Sequence, residues 1–321
     1  MNRADALGRL GSAAAAAVPL TILPARAVAQ SETPIVLVGT ANDSGGEMLY
    51  AQDLGLYQKA GLDVKLQVLN NPGASVAAVI AGSATVSSLT VPGIVLARQR
   101  GIPIVIIAPA SLYSSAHPTS GIFVLKDSPI KTAADLDGKT IAIRDIGNMS
   151  YYGAKAWVDK NGGNSKTVKW VEIPDPAALA AMKAGRVDAA SVSEPALDDA
   201  IHGPDARLLA ACYDAIAPSF LIAAYFTTAA FAKAHPEDVR KFSQVIIDAG
   251  KWANKNHLAS AKILAKYTGV PVPPTNTRVT YAERMRPADA QPVLDMLERY
   301  GVIKGQLRAA DLFAPEVPTA S

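Results

Sequence analysis

The sequence is poor in the residues from which many functions are built. It holds one cysteine, Cys212, among 321 residues. That excludes an intramolecular disulfide framework and any multi-thiolate metal site. Its four histidines, His117, His202, His235 and His257, share no metal-ligand spacing with one another or with the cysteine. No metal site and no cofactor is expected from such a set. Net charge is nearly absent: 31 basic against 28 acidic residues leave +3, with no run of lysine or arginine. A nucleic-acid surface needs a basic patch or stripe, so nucleic acid is not an expected partner. No Gly-x-Ser-x-Gly elbow occurs, and the serines near His117 lack an orienting acid. A hydrolase triad therefore has no visible support.

What is present begins with an export signal. Arg3 and Arg9 form a weakly basic start, and an alanine-rich apolar stretch follows from about Leu10 to Leu23. Ala27-Val28-Ala29 supplies the small-x-small pattern that a signal peptidase reads, with Gln30 as the new terminus. Pro19 and Pro24 interrupt the stretch, which is short for a membrane span. No cysteine for a lipoprotein anchor and no twin arginine accompany it. The expectation is a periplasmic protein, cleaved near Ala29/Gln30. Half of all residues are hydrophobic and 18% are charged, a composition that packs a core and excludes disorder. The length suggests about two domains.

The body alternates strands and helices. Ile35-Val36-Leu37-Val38 is a buried strand candidate, followed by a short helix to about Asp53. Leu62, Val64, Leu66 and Val68 alternate with polar residues, the period of a half-buried strand. After the turn Asn70-Asn71-Pro72-Gly73 a helix runs to Gly82, a fitting C′ glycine. Ile104 to Ala108, wholly apolar, reads as a central parallel strand. Thr132 and Asp135 resemble a capping box before a short helix ending at Gly138. Strands at Thr140 to Ile143 and Val168 to Ile173 flank a helix from about Ser150 to Asn161. Asp175-Pro176 reads as an N-cap followed by proline at N1. Behind Pro236, the spacing of Val239, Phe242, Ile246, Ala249 and Ala253 predicts a long amphipathic helix whose start His235 caps. Cys212 reads as a buried small hydrophobe. The alternation implies α/β layers with mainly parallel sheets.

One unit occurs twice. Ala81-Gly82 closes an alanine-rich helix, a short strand follows, and Pro92 comes ten residues after Gly82. Ala184-Gly185 repeats the pattern, with Pro195 ten residues after Gly185. Chance in an alanine-rich chain is one reading. The other is two similar lobes, each offering a loop at the carboxyl end of a strand, where ligands bind in open parallel sheets.

The run Ala51-Gln52-Asp53-Leu54-Gly55-Leu56-Tyr57-Gln58-Lys59-Ala60-Gly61-Leu62-Asp63-Val64 resembles the opening of the nitrate/sulfonate/taurine (SsuA/THI5-like, NMT1-like) solute-binding proteins of ABC importers. Further matches follow in order: Gly73-Ala74, Ala134 to Ala142, Ala184 to Ala190 before Glu194-Pro195, His235 to Arg240, and Gly301-Val302-Ile303. The resemblance covers nearly the whole mature chain. It implies a periplasmic-binding-protein type II fold: two α/β lobes with mixed, mainly parallel sheets and two crossing strands, near Gly121 to Leu125 and Phe220 to Thr227. Lobe 1 would hold residues 30–120 and 226–321, and lobe 2 residues 121–225, after a signal peptide at 1–29. The implied protein is a monomer without catalysis. It captures a small-molecule ligand between the lobes by hinge closure and delivers it to ABC permease subunits in the membrane. Two departures leave the ligand open among sulfonates, carboxylates, nitrate-like ions and pyrimidines. Ser83-Ala84-Thr85-Val86 lacks the acidic residue often found after the first Ala-Gly, and Ser193 replaces the aromatic that often precedes Glu-Pro.

Four loops are expected at the cleft: Asn42-Asp43-Ser44; Asn71 to Ser75, with Gly73, Ala74 and Ser75 nearest the ligand; Thr90-Val91-Pro92; and Gly147 to Tyr151, with Asn148, Met149, Ser150 and Tyr151 as contacts. The last three lead into helix starts, whose free N–H groups suit anions. The same residue types also make ordinary caps and turns. Glu194 has two readings, an acceptor for a ligand amine or hydroxyl and a holder of its own loop. Tyr113, Tyr151 and Tyr152 read either as ring-stacking surfaces or as core packing. Arg144 reads either as a bidentate partner of a carboxylate or sulfonate or as an exposed ion pair with Asp145. Two other functions share these features: an enzyme on the same scaffold, of thiamine-pyrimidine or menaquinone-pathway type, and a periplasmic sensor that hands its ligand to a receptor kinase.

Overall fold

A computed structural model describes residues 34–69, 72–194, 196–269, 271–273, 277–304 and 307–320. The export signal read at residues 1–29, Gln30, Asn70, Asn71 and Pro195 lie outside the described residues. The chain runs through β1 (Ile35–Gly39), α1 (Glu47–Asp53), α2 (Leu56–Lys59), β2 (Val64–Val68), α3 (Pro72–Ile80), β3 (Val86–Thr90), α4 (Val91–Gln99) and β4 (Ile104–Pro109). Next come β5 (Ser111–Ser114), β6 (Ser120–Leu125), β7 (Thr140–Ile143), α5 (Met149–Lys160), β8 (Lys169–Glu172), α6 (Asp175–Lys183), β9 (Ala189–Ser193), α7 (Ala196–His202) and β10 (Ala206–Ala210). It continues through β11 (Ser219–Leu221), β12 (Ala223–Thr228), α8 (Ala229–Ala234), α9 (Pro236–Lys255), α10 (His257–Thr268), β13 (Thr280–Tyr281) and α11 (Gln291–Arg299).

Two five-stranded sheets result, in the orders β2-β1-β3-β12-β4 and β8-β7-β9-β6-β10. β1 is parallel to β2 and β3, and β7 is parallel to β8 and β9. β12 is antiparallel to β3 and β4, and β6 is antiparallel to β9 and β10. The sheets therefore share one order and one pattern of directions. The unit that occurs twice in sequence is α3–β3–α4 in one and α6–β9–α7 in the other. Gly82 and Gly185 close the equivalent helices at φ 75° and 66°, values a side chain rarely adopts.

The chain passes between the sheets through β5 and back through β11. These two strands pair antiparallel and, with β13, make a small third sheet. The outward crossing expected near Gly121 to Leu125 is instead β6, an antiparallel strand inside the second sheet, while the return expected near Phe220 to Thr227 takes in Phe220 and Leu221 of β11 and most of β12.

Packing follows the strand period. In the second sheet Phe123, Ala142 and Ala190 join a core with Ala178, Ala181 and Met182 of α6 and with Leu197 and Ala200 of α7. Their neighbours Ile122, Ile141 and Ala189 join the larger core instead, together with Ala154 and Val158 of α5. In the first sheet α9 lies against β4 and α1, burying Val239, Phe242, Ile246, Ala249 and Ala253 as the helical spacing requires.

Three expectations need correction. Ile104 to Ala108 is fully buried, but β4 ends its sheet and its strand neighbour is antiparallel. α9 covers it, and a bridge to Phe313 with the Ala314 N–H on the Ile106 carbonyl at 2.8 Å closes its outer edge. An apolar run reports burial, not position in the sheet. Asp175 does not cap α6, which begins at that residue with Pro174 in the cap position and no side-chain cap bond. His235 occupies the cap position of α9 without a side-chain bond, and its ring stacks on Phe231 at 4.5 Å.

Candidate ligand-binding cleft

The carboxyl ends of the parallel strands carry the loops of interest, and two contacts bring the two sets together. A Cβ at Gly147, after β7, would stand 3.5 Å from Leu96 of α4. The Thr277 N–H reaches Asp198 of α7 at 3.5 Å. The ends of β1 and β3 make the candidate wall of the first sheet, and the ends of β7 and β9 with the start of α6 that of the second.

On the first wall, Asn42 accepts the Gly45 N–H at 3.1 Å and caps a short 3-10 turn. Ser44 is half-buried in that turn. Asp43 is held from beneath. Both its oxygens accept from Arg278 Nε at 2.9 and 2.8 Å, and Oδ1 accepts from Nη2 at 2.6 Å. Tyr281 donates to it at 2.9 Å and the Val279 N–H at 3.1 Å. The two ionic side chains are 9% and 7% exposed, so the pair belongs to the floor of the turn. Glu47, one turn on, is 1% exposed. Burial holds its carboxyl well above the ordinary range, and Tyr225 donates to it at 3.3 Å. Arg278, Tyr281, Tyr225 and Glu47 escape sequence reasoning. Arg278 lies 235 residues from Asp43, and no local spacing marks it.

Of the second loop, Gly73 and Ala74 are exposed and Ser75 is buried at the start of α3. Thr90 is half-buried at the N-cap of α4 and makes no side-chain cap bond. Val91 is buried, and its N–H donates to the Ile222 carbonyl at 2.9 Å. With Pro92 next, α4 has fewer open donors for an anion than a helix start normally has.

On the second wall, Asn148 Oδ1 accepts from Ser150 Oγ at 2.9 Å and the Tyr151 N–H at 2.8 Å, which caps α5. Its amide donates to Asp145 at 3.1 Å. Met149 and Ser150 are buried. Tyr151 packs edge-on against Trp170 at 5.2 Å and Tyr152 at 5.0 Å, with Lys155 5.0 Å from its ring centre. Arg144 is exposed and 3.8 Å from Asp145. The backbone N–H of Glu194 donates to the Thr119 carbonyl at 3.2 Å, and its side chain is half-buried. Tyr113 lies in β5. It is fully buried, donates to Asp214 at 2.6 Å and packs on Tyr213 and Phe220 at the crossing.

Asp175 and Cys212 lie in the same half. Asp175 Oδ2 accepts from the Ser193 N–H at 3.4 Å, and burial raises its pKa. Cys212 is fully buried between the hydroxyls of Ser120 and Ser191, and burial pushes its thiol up to about 11. Among the described residues no three His, Cys, Asp or Glu side chains gather as metal ligands, and no helix is long and apolar enough to cross a membrane.

Comparison with known proteins bears on this architecture. The family model described as NMT1/THI5 like matches residues 43–257. A Brucella abortus protein described only as a candidate binding protein is 25% identical over 303 residues, covering 93% of this chain and 90% of its own. The structure of the periplasmic aliphatic sulphonate binding protein SsuA from Escherichia coli superposes with TM-score 0.73 at 19% identity, covering 88% of this chain and 98% of its own. The periplasmic nitrate-binding protein NrtA from Synechocystis PCC 6803 gives 0.71 at 16%, covering 90% and 87%. The desulfurization enzyme DSZB gives 0.63 at 17%, covering 88% and 97%. The fold is that of the periplasmic binding proteins, and an enzyme shares it.

Proposed function

The chain belongs to the NMT1/THI5-like family, and we propose that it is the extracytoplasmic substrate-binding protein of an ABC importer. Its solute is a small anionic or aromatic molecule, of the sulfonate, carboxylate, nitrate-like or pyrimidine class. The observation that carries this reading is the pair of like-ordered sheets between which the chain passes through β5 and β11, with Gly147 after β7 of one set against Leu96 of α4 in the other. Residues 30–120 and 226–321 act as one lobe and 121–225 as the other. Solute enters between them, the hinge closes, and the closed form docks on a membrane permease. The leader at residues 1–29 places the mature protein outside the cytoplasmic membrane.

In the cleft, Ser44 and Thr90 on one wall and Arg144, Ser150, Tyr151 and Glu194 on the other meet the solute. Asn42, Asp43 and Asn148 shape the loops through bonds they already make. Gly73, Ala74 and Ser75 let the solute approach the start of α3. The desulfurization enzyme raises a catalytic alternative, but the cysteine of this chain is a poor candidate for such chemistry. A thiol held near 11 is protonated at neutral pH, and the thiolate is the nucleophile. The test is a thermal-shift screen of the chain from Gln30 against those four solute classes, amino acids and sugars. A solute at a hundredfold excess over its Kd stabilises the native state by about 2.7 kcal/mol, a rise of several degrees. One class giving a saturable rise supports the reading. Chemical conversion of the solute overturns it.

A further inference from the structure

On the two-lobe reading, we propose that Tyr300 is a latch. It holds the lobes together while the cleft is empty and lets go for solute to pass.

Tyr300 directly follows α11, which packs on α4 of the first lobe. Its side chain reaches α5, which packs on β6 and β9 of the second. The hydroxyl donates to Asp159 at 2.8 Å, the ring stacks on Tyr152 with centres 6.2 Å apart, and Lys155 Nζ lies 4.7 Å from the ring centre. Asp159 is set in place by its own lobe, accepting the Ser165 N–H at 2.7 Å and the Ser165 hydroxyl at 2.9 Å. Burial and the bond to Asp159 hold the Tyr300 phenol above its ordinary range, so it stays a donor. Lys155 carries the contact on to the cleft. Its Nζ also lies 5.0 Å from the ring centre of Tyr151 and donates to that hydroxyl at 3.4 Å. One ammonium thus lies against two rings, one from each lobe, and cation–π attraction joins them.

Two observations mark this contact as one made to part. A cavity of about 260 Å³ opens in the same seam, lined by Ala156 of α5, Ala215 to Ala217 before β11, and Pro292 and Met296 of α11. A permanent joint packs to the density of a protein interior, with few voids larger than a water. Here the seam is bridged at Tyr300 and left unfilled beside it. The second observation is what else is engaged at the same time. With Tyr300 docked, the cleft sides also touch: the Thr277 N–H reaches Asp198 at 3.5 Å, and Leu96 stands 3.5 Å from a Cβ placed at Gly147. The latch therefore favours the lobes-together form. Solute passes only when that form opens, so the latch slows both entry and release.

Pulsed electron paramagnetic resonance on the chain from Gln30, without solute, tests this. Spin labels go on Ala77→Cys in α3 and Ala180→Cys in α6, exposed positions in equivalent helices of the two lobes. Cys212 is fully buried and stays unlabelled. In the parent, most molecules should show the separation that the structure gives these positions. Tyr300→Phe loses only the bond to Asp159 and should move the ratio about three- to tenfold toward a longer separation. Lys155→Met keeps the stem, loses the charge and should move it the same way. Tyr300→Ala should move it further than either, and Lys155→Arg, which keeps a cation on the rings, should hold the parent ratio. Distributions unchanged in Tyr300→Phe and Lys155→Met overturn the latch. If their melting temperatures fall at the same time, the contact is a fixed strut. A move to shorter separation, or a parent found mainly at the longer one, overturns it as well. None of these results bears on whether a solute binds, which the thermal-shift panel decides by itself.

Discussion

Asp43 and Arg278 show what a residue's neighbours do to its apparent meaning. In sequence, Asp43 in a polar loop after a strand reads as a ligand contact. In the structure its oxygens are engaged by Arg278, Tyr281 and the Val279 N–H. Removing one partner of such a pair strands a buried charge, so Asp43→Asn should lower stability by about 3–5 kcal/mol in denaturant unfolding. A loss below about 1 kcal/mol would mean that the pair behaves as a surface one. Glu47 gives the pH-dependent prediction. Around it stand Asp43, Tyr57, Tyr225, Tyr50, Tyr281 and Arg278. Burial lifts its folded pKa above the ordinary 4.5. Between those values the folded state keeps a proton that the unfolded state has lost, so this contribution to stability falls as pH rises from about 4.5. Glu47→Gln should therefore gain on the parent protein between pH 4 and pH 8 in urea titrations. A variant that loses ground over that range would contradict the burial argument.

Elements were legible where one local signal decides them. The Thr132–Asp135 box makes both expected bonds, with the Asp135 carboxylate accepting the Thr132 N–H at 2.9 Å and Thr132 Oγ1 accepting the Asp135 N–H at 3.4 Å. Asn148 caps α5, and Gly82 ends α3. The sequence of β4 misleads because an apolar run carries no information about which neighbour covers it. Asp175-Pro176 misleads because a cap and a reach to Ser193 look alike in sequence. α5 offers a test of element packing. Gly153 sits inside this helix, where alanine normally gains about 1 kcal/mol. Here a Cβ would stand 2.5 Å from Tyr213 Cδ1 and 2.7 Å from Cε1. That ring is buried and packs on Tyr113 and Phe220, so it has little freedom to yield. Overpacking of this kind costs about 1–3 kcal/mol. Gly153→Ala should therefore lower the melting temperature. A rise would show that the ring moves aside and that propensity wins.

Across the molecule, the doubled unit was legible in the sequence. Its two copies fall at equivalent places in like-ordered sheets. The clamp beneath the first cleft loop was invisible, because it joins a residue near the start of the described chain to one near its end. The same long-range character marks the contact of α11 with α5, where the Tyr300 hydroxyl donates to Asp159 at 2.8 Å and Lys155 lies 4.7 Å from the Tyr300 ring centre. These contacts tie the second-sheet half to helices packed on the first, and hinge closure has to respect them. On the receptor reading this cleft holds a small solute and returns it unchanged. Equilibrium dialysis of the chain from Gln30 against the best-stabilising solute, with chemical analysis of what is retained, tests that most directly. About one equivalent per chain is expected at saturation, recovered intact after the protein is unfolded. No retained solute, or recovery of a converted product, would contradict it.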